Sequence, residues 1–312
     1  MERFENGAAP HQSVLYHAII HALHPESSGR YVDATVGAGG HAAGILEAAS
    51  PLGRLLGLDL DPFALALSGQ RLAIYGERAV LVQASYTTLL EQIARLGWQD
   101  VNGIVMDLGV SSMQLDDPER GFSFQSDGPL DMRFGPSAVQ SAADLVNRLP
   151  ESELADLIWR YGEDRLSRRI ARSIVQARPL STTRQLAEAI IRAYGGQKSH
   201  IHPATRTFQA LRIAVNEELL AVENVLPLAM QALSATGVLA VISFHSLEDR
   251  IVKQYFRRES KDCICPPEQP ICTCSHRAIL REINRHPIQA DEEEIRTNPR
   301  SRSAKLRVAE KL

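Results

Sequence analysis

The stretch "DATVGAGGHAAGIL" (33–46) reads as the end of a buried strand, a glycine turn and the start of a helix. Such a unit usually grips a nucleotide-like cofactor. Gly37, Gly39 and Ala42 also fit the dinucleotide fingerprint G-x-G-x-x-G/A, which on its own points to a dehydrogenase.

Working outward, "RYVDAT" (30–35), "RLLGLD" (54–59), "AVLVQA" (79–84) and "NGIVMD" (102–107) read as buried strands, with helices from Gly40, Pro62 and Tyr86 between them. Repeated strand–helix alternation predicts a parallel sheet covered on both faces. Residues 108–135, rich in Gly, Ser, Asp and Pro, read as a long loop region. Helical patterns follow, ending in "ATRTFQALRIAVNEELLAVENVLPLAMQALS". The alternation resumes with "GVLAVISF" (237–244) and a helix from Leu247, and "RAILREINR" and "SAKLRVAEK" read as a closing pair of strands. The expected fold is a Rossmann-like α/β sheet in two segments, 1–115 and 216–312, interrupted by an inserted all-helical domain at 116–215.

With 44% hydrophobic and 23% charged residues the composition is that of a globular protein able to bury a core. No apolar run approaches the roughly 20 residues of a membrane span. Glu2 and Glu5, with no long apolar segment behind them, speak against a signal peptide, and the expectation is a cytoplasmic protein. The net charge of −3 hides an asymmetry: residues 160–212 hold eleven Arg or Lys (160, 165, 168, 169, 172, 178, 184, 192, 198, 206, 212) against Glu163, Asp164 and Glu188. An isolated charge run is usually a solvated face. A local surplus of this size in an acidic chain is better explained by a polyanionic partner.

Asp59, about 20 positions after the glycine turn, does not identify the cofactor, because it suits the ribose of NAD and of S-adenosylmethionine equally. Asp33 discriminates better. A carboxylate beside the turn would repel a pyrophosphate, whereas the ammonium and sulfonium of S-adenosylmethionine tolerate or want one. Any one acidic strand end could be an ordinary solvated turn; Asp33, Asp59 and Asp107 together favour a methyl donor.

The chain resembles the ribosomal RNA small-subunit methyltransferase H family. The matching stretches are "HQSVL" (11–15), "DATVGAGGH" (33–41), "GLDLDP" (57–62), "MDLGVSSMQLDDPERGFSF" (106–124), "DGPLDMRF" (127–134), "HPATRTFQALRIAVNEEL" (202–219), "ISFHSLEDRIVK" (242–253) and "NPRSRSAKLRVAE" (298–310). The resemblance implies a Rossmann-like methyltransferase with a helical insertion, using S-adenosylmethionine to methylate the exocyclic N4 amine of a cytosine in small-subunit (16S) rRNA. Its partner would be that RNA or the 30S particle. It further implies that Gly39, Gly40 and His41 line the methionine part of the cofactor, that Asp59 binds the ribose, and that Tyr86, Asp107 and Gln114 touch the cofactor. The glycines would let the backbone pass where a Cβ would clash. Alone, His41 would more often be an ordinary helix-start histidine.

A cytosine amine delocalises its lone pair into the ring and needs acceptors for its N–H groups. Many amino-methyltransferases supply these from an Asp/Asn/Ser-Pro-Pro-aromatic motif after the fourth strand; here "DLGVSS" stands in its place. The catalytic candidates are therefore Asp107, Ser111 and Ser112 at that edge, Ser243 and His245 after the next strand, and Asp131 and Arg133 of "LDMR". Each also has a bland reading, as a turn serine or an Arg–Asp pair pinning its loop. Arg206 and Phe208 offer a cation and a stacking ring to a splayed-out base, although Phe208 alone reads as core.

All four cysteines, 263, 265, 272 and 274, lie in "CICPPEQPICTC". Clustered thiols of this kind point to metal more than to disulfides, but C-x-C spacing departs from the usual C-x2-C pairs. Structural zinc and a reduced or redox-labile loop both stay open, and no metal ligand is assigned. Two other readings compete: a methyltransferase for a small molecule or protein, and an RNA-binding factor that keeps the fold without turnover.

Overall fold

The computed structural model describes residues 13–136, 138–196, 201–266, 268–269 and 271–312. Glu2, Glu5, His11, Gln12 and Lys198 lie outside the described residues. The chain divides into two compact units, Met1–Leu108 with Ala221–Leu312, and Gly109–Leu220.

The first unit carries a seven-stranded sheet. Its strands are β1 (Arg30–Asp33), β2 (Arg54–Asp59), β3 (Ala79–Gln83), β4 (Val101–Asp107), β5 (Leu233–Ser243), β6 (Leu280–Glu282) and β7 (Lys305–Lys311), in the order β3-β2-β1-β4-β5-β7-β6. The first five are parallel, and β7 pairs antiparallel with both β5 and β6. Alternate residues serve the two faces. Val32, Leu56, Ile104 and Val241 enter one apolar cluster, while Tyr31, Leu55, Val105 and Ile242 enter the other. This period-two burial on both faces is why the strands read as unbroken apolar runs. The chain winds from β1 to β3 on one side and resumes at β4 on the other. The strand order thus reverses between β1 and β4, the place where open α/β sheets bind ligands beyond the strands' carboxyl ends.

The helix expected from Tyr86 opens as a 3-10 turn, Tyr86–Thr88, and becomes α-helical at Leu89–Arg95. Ser85 Oγ accepts the Thr87 N–H, which fixes that tight start.

The second unit contains helices Ala142–Arg148, Glu151–Gly162, Ser167–Ala177, Thr183–Tyr194 and Ala204–Asn216. Leu154, Ile158, Ile170, Ile174, Leu186, Ile190 and Leu211 recur at helical spacing and fill its core. Phe208 is core too, edge-on to Phe124. At Gly162 a Cβ would stand 2.7 Å from the Arg206 carbonyl O, so only glycine lets these two helices approach so closely.

Two features depart from the sequence reading. The segment read as loop from 108 contains a helix, Ser112–Asp116, because Ser111 and Gln114 form a reciprocal capping box. Val110 and Leu115 pack on the helical core, so this unit begins at Gly109 where 116 was expected. The long helical pattern after Ala204 breaks at Glu217, whose left-handed backbone (φ 49°) ends one helix before Glu218–Ala232 begins.

Candidate active site

The carboxyl ends of β1, β2 and β4 bring Asp33, Asp59 and Asp107 into one electrostatic group. Their register makes this unavoidable: Asp33 pairs with Gly57 of β2 and Val105 of β4, so all three strands end within about two residues of each other. Asp33 is 1% exposed; its Oδ1 accepts the Thr35 N–H at 3.2 Å. Asp59 Oδ2 accepts the Gly37 N–H and its Oδ1 the Asp61 N–H, both at 2.9 Å. Asp61 in turn caps helix Pro62–Leu72 through Phe63 N–H. Asp59 thereby ties the glycine turn to the start of the next helix, with the Leu60 backbone as a further donor.

Asp107 is the outlier. Its backbone N–H donates to the Thr35 hydroxyl at 2.6 Å, yet its Oδ1 is buried with no hydrogen-bond partner among the described residues. Burial pushes the Asp33 carboxyl up to about 7, backbone donors only partly opposing it and Asp59 adding repulsion. Burial likewise pushes Asp107 up to about 8, with Asp33 and Glu248 adding repulsion. Asp59 is raised by the same desolvation, moderated by its backbone donors. Among the described residues no Lys or Arg forms an ion pair with any of the three. A desolvated acidic cluster without a cation is electrostatically incomplete.

The glycines divide into two kinds. Gly37 (φ 52°) requires the left-handed region, and a Cβ there would meet only the Thr35 carbonyl. Gly39 (φ 78°) is crowded by Ser68, and a Cβ on Gly40 would overlap the Ser13 hydroxyl. At Gly40 the protein's own Ser13 is therefore enough to require glycine. His41 is buried. Its Nε2 lies 2.9 Å from the Val14 carbonyl O, and since a carbonyl can only accept, that nitrogen carries the proton. Tyr86 follows β3, half-buried against the sheet core.

Ser243 is buried at the end of β5 and makes only a long contact, 3.5 Å, to the Lys305 carbonyl. His245 caps helix Ser246–Glu259: Nδ1 accepts the Glu248 N–H at 3.4 Å, and Glu248 returns bonds to Phe244 N–H and His245 N–H. Its Nε2 stands 3.1 Å from Glu248 Oε1, without the geometry of a hydrogen bond.

The remaining candidates lie in the helical unit. Ser111 and Gln114 form the capping box, with Gln114 buried and Ser112 opening the short helix. Arg133 grips Asp131 in a two-pronged pair, Nε to Oδ1 at 2.7 Å and Nη2 to Oδ2 at 2.8 Å. The guanidinium holds Asp131 below the usual carboxylate range. This is the loop-pinning arrangement, further braced by Arg120 on the Arg133 and Phe134 carbonyls.

Thr35 and Glu248 are missing from the sequence reading. Glu248 had a legible signal, the third position of a helix after His245; Thr35 had none, because its partner is 72 residues away.

Not all of the basic run is surface charge. Arg178 donates to the Val146 and Leu149 carbonyls, and Arg212 forms a buried two-pronged pair with Glu218. Arg169, Arg172 and Arg192, by contrast, line a groove of about 410 Å³ with Ser173 and Gln176. Arg172 also meets Glu151 at 3.3 Å.

The sequence profile of the MraW methylase family matches residues 8–312. The chain belongs to the MraW methylase family. It is 54% identical over 303 residues to the ribosomal RNA small subunit methyltransferase H of Dehalococcoides mccartyi, covering 97% of this chain and 87% of that one. The protein of the same name from Heliobacterium mobile is 48% identical over 308 residues, covering 97% and 99%. Among solved structures, an rRNA methylase from Streptococcus thermophilus aligns over 97% of this chain and 99% of its own at 10% identity, with a TM-score of 0.45. No helix among the described residues is long and apolar enough to cross a membrane.

Proposed function

We propose that this family member uses S-adenosylmethionine to methylate the exocyclic N4 amine of a cytosine in small-subunit rRNA. The observation that carries the reading is the trio of a buried Asp33 with half-buried Asp59 and Asp107, which lacks a cation among the described residues and flanks the point of strand reversal. A ligand bearing an ammonium and a sulfonium completes that cluster; a pyrophosphate opposes it. The 54% identity to an rRNA methyltransferase supports RNA as the substrate.

S-adenosylmethionine supplies an activated methyl group; the protein's task is to hold, orient and neutralise. Asp59, at the end of β2 beside the glycine turn, is suited to accept from the ribose hydroxyls. Asp33 answers the ammonium. The open side of Gly37 leaves room beside the turn. Asp107 is our choice as the acceptor that draws on the amine N–H and takes the proton released after transfer. Its Oδ1 has no partner, and a carboxyl pushed up to about 8 exchanges protons near neutrality. Asp131 and Arg133 are committed to each other, and His245 to its helix cap.

We further assign RNA binding to the helical unit, whose groove arginines match a phosphate backbone. Expected residence is the cytoplasm, with naked rRNA or the 30S particle as partner. Calorimetry with both cofactors tests the reading: S-adenosylmethionine binds and NAD does not. NAD binding with no response to S-adenosylmethionine overturns it.

A further inference from the structure

Among its described residues, the loop between helix Ser246–Glu259 and β6 buries no apolar side chain. Ile264 is 44% exposed and Ile271 is 74% exposed. The base of the loop is closed where Ile279 N–H meets the Glu259 carbonyl O at 2.9 Å and Ala278 N–H meets Asp262 Oδ1 at 3.3 Å, and Gln269 Nε2 donates to the Ile271 carbonyl and the Thr273 hydroxyl farther out. Burial does not explain why this segment holds one shape. Beside these polar bonds stand its four cysteines. All are free thiols, and their Sγ atoms lie within 4.8 Å of one another. Three of the separations are close: Cys263–Cys272 at 3.4 Å, Cys272–Cys274 at 3.6 Å and Cys263–Cys274 at 3.8 Å.

A tetrahedral ion with metal–sulfur bonds of about 2.3 Å sets sulfur–sulfur edges of about 3.8 Å. The three close separations, 3.4–3.8 Å, lie near that figure and are far from the roughly 2 Å of a disulfide. The backbone is arranged for thiolates as well. The residue in the middle of each C-x-C turn donates to a sulfur of the other turn: Ile264 N–H to Cys274 Sγ and Thr273 N–H to Cys265 Sγ, both at 3.5 Å. One intervening residue strains a chelate that closes both ligands on a single turn. Two turns facing each other, each bonded to the other's sulfur, relieve that strain by sharing the tetrahedron.

We propose that Cys263, Cys265, Cys272 and Cys274 bind one zinc ion as a structural tetrathiolate that clasps this loop. Binding displaces the thiol protons to solvent and leaves sulfur and metal oxidation states unchanged. Four protein ligands close the shell, so the ion has no open position for chemistry.

The test is metal analysis of full-length protein purified under reducing conditions without chelator. We expect one zinc per chain, lost in the C263S/C274S variant, whose far-ultraviolet dichroism and cofactor affinity stay within twofold of the parent. Exchange with cobalt(II) should give the intense visible bands of a tetrahedral thiolate site in the parent only. A reduced, folded parent that takes up neither zinc nor cobalt overturns the proposal. So does iron found in place of zinc, or zinc retained in the folded variant.

Discussion

The sheet unit and the helical unit each gather charge of one sign, but they treat it differently. At the strand ends, the buried Asp33 and the half-buried Asp107, whose Oδ1 is buried, are raised in pKa and unanswered by any protein cation among the described residues. In the helical unit, Arg178 and Arg212 are answered internally, while Arg169 and Arg192 stand beside a groove with no ion pair among the described residues. Unanswered charge points to the ligand that is to come, and its sign differs between the units: a compact cation for the first, an extended polyanion for the second. Net charge alone conceals both, since the chain sums to −3.

The sharpest way to break this contrast is charge reversal in the groove. R169E/R172E/R192E should leave S-adenosylmethionine affinity unchanged and reduce the slope of log RNA affinity against log salt by about 3, roughly one for each phosphate no longer neutralised. RNA affinity that survives the triple change would reduce the arginines to a solvated face. On the other unit the expected effect is smaller. Asp59→Ala removes charge-assisted hydrogen bonds of about 1.5–3 kcal/mol, weakening cofactor affinity by roughly 10- to 150-fold while sparing RNA binding. An unchanged cofactor constant would place the ribose elsewhere.

The carboxylate trio also predicts a pH signature. Asp33 and Asp107 have folded-state pKa values raised from 3.8 to about 7 and about 8. The folded state therefore binds more protons than the unfolded one between these limits, and ligand-free stability falls as pH rises from about 4 to about 8. Saturating S-adenosylmethionine should flatten that slope, because a bound cation favours the ionised carboxyls. Thermal melts across this range, with and without cofactor, check it; a free protein that grows more stable with rising pH contradicts the burial argument.

The smallest expected change belongs to the cysteines. Replacing all four by serine should cost stability but leave methyl transfer measurable, because amine methylation needs no thiol nucleophile. A folded quadruple variant without activity would give the late loop a catalytic part that its position after helix Ser246–Glu259 does not suggest.

Local chemistry made much of this legible. Strand–helix alternation, the glycine turn at Gly37 and Gly39, and acidic strand ends are all properties of short windows, and a closing pair of strands is legible in "RAILREINR" and "SAKLRVAEK", though not that they pair antiparallel. What the windows hide is tertiary. Whether an arginine is free depends on carbonyls about 30 residues away, as Arg178 shows. That a Cβ on Gly40 would meet Ser13 follows from two stretches distant in sequence but adjacent in space. Asp107 could be named as a candidate, but its orphaned oxygen is a consequence of burial that no spacing encodes.

The central claim is the reaction itself, and the product nucleoside tests it most directly. Small-subunit rRNA lacking the modification, supplied naked and as 30S particles, would be incubated with the purified protein and isotopically labelled S-adenosylmethionine, then digested and analysed by mass spectrometry against authentic methylcytidines. The account predicts label in cytidine on the exocyclic amine, abolished by Asp107→Ala. Label on the ring carbon or on another base would contradict it, as would a cofactor-binding protein that leaves both RNA substrates unlabelled.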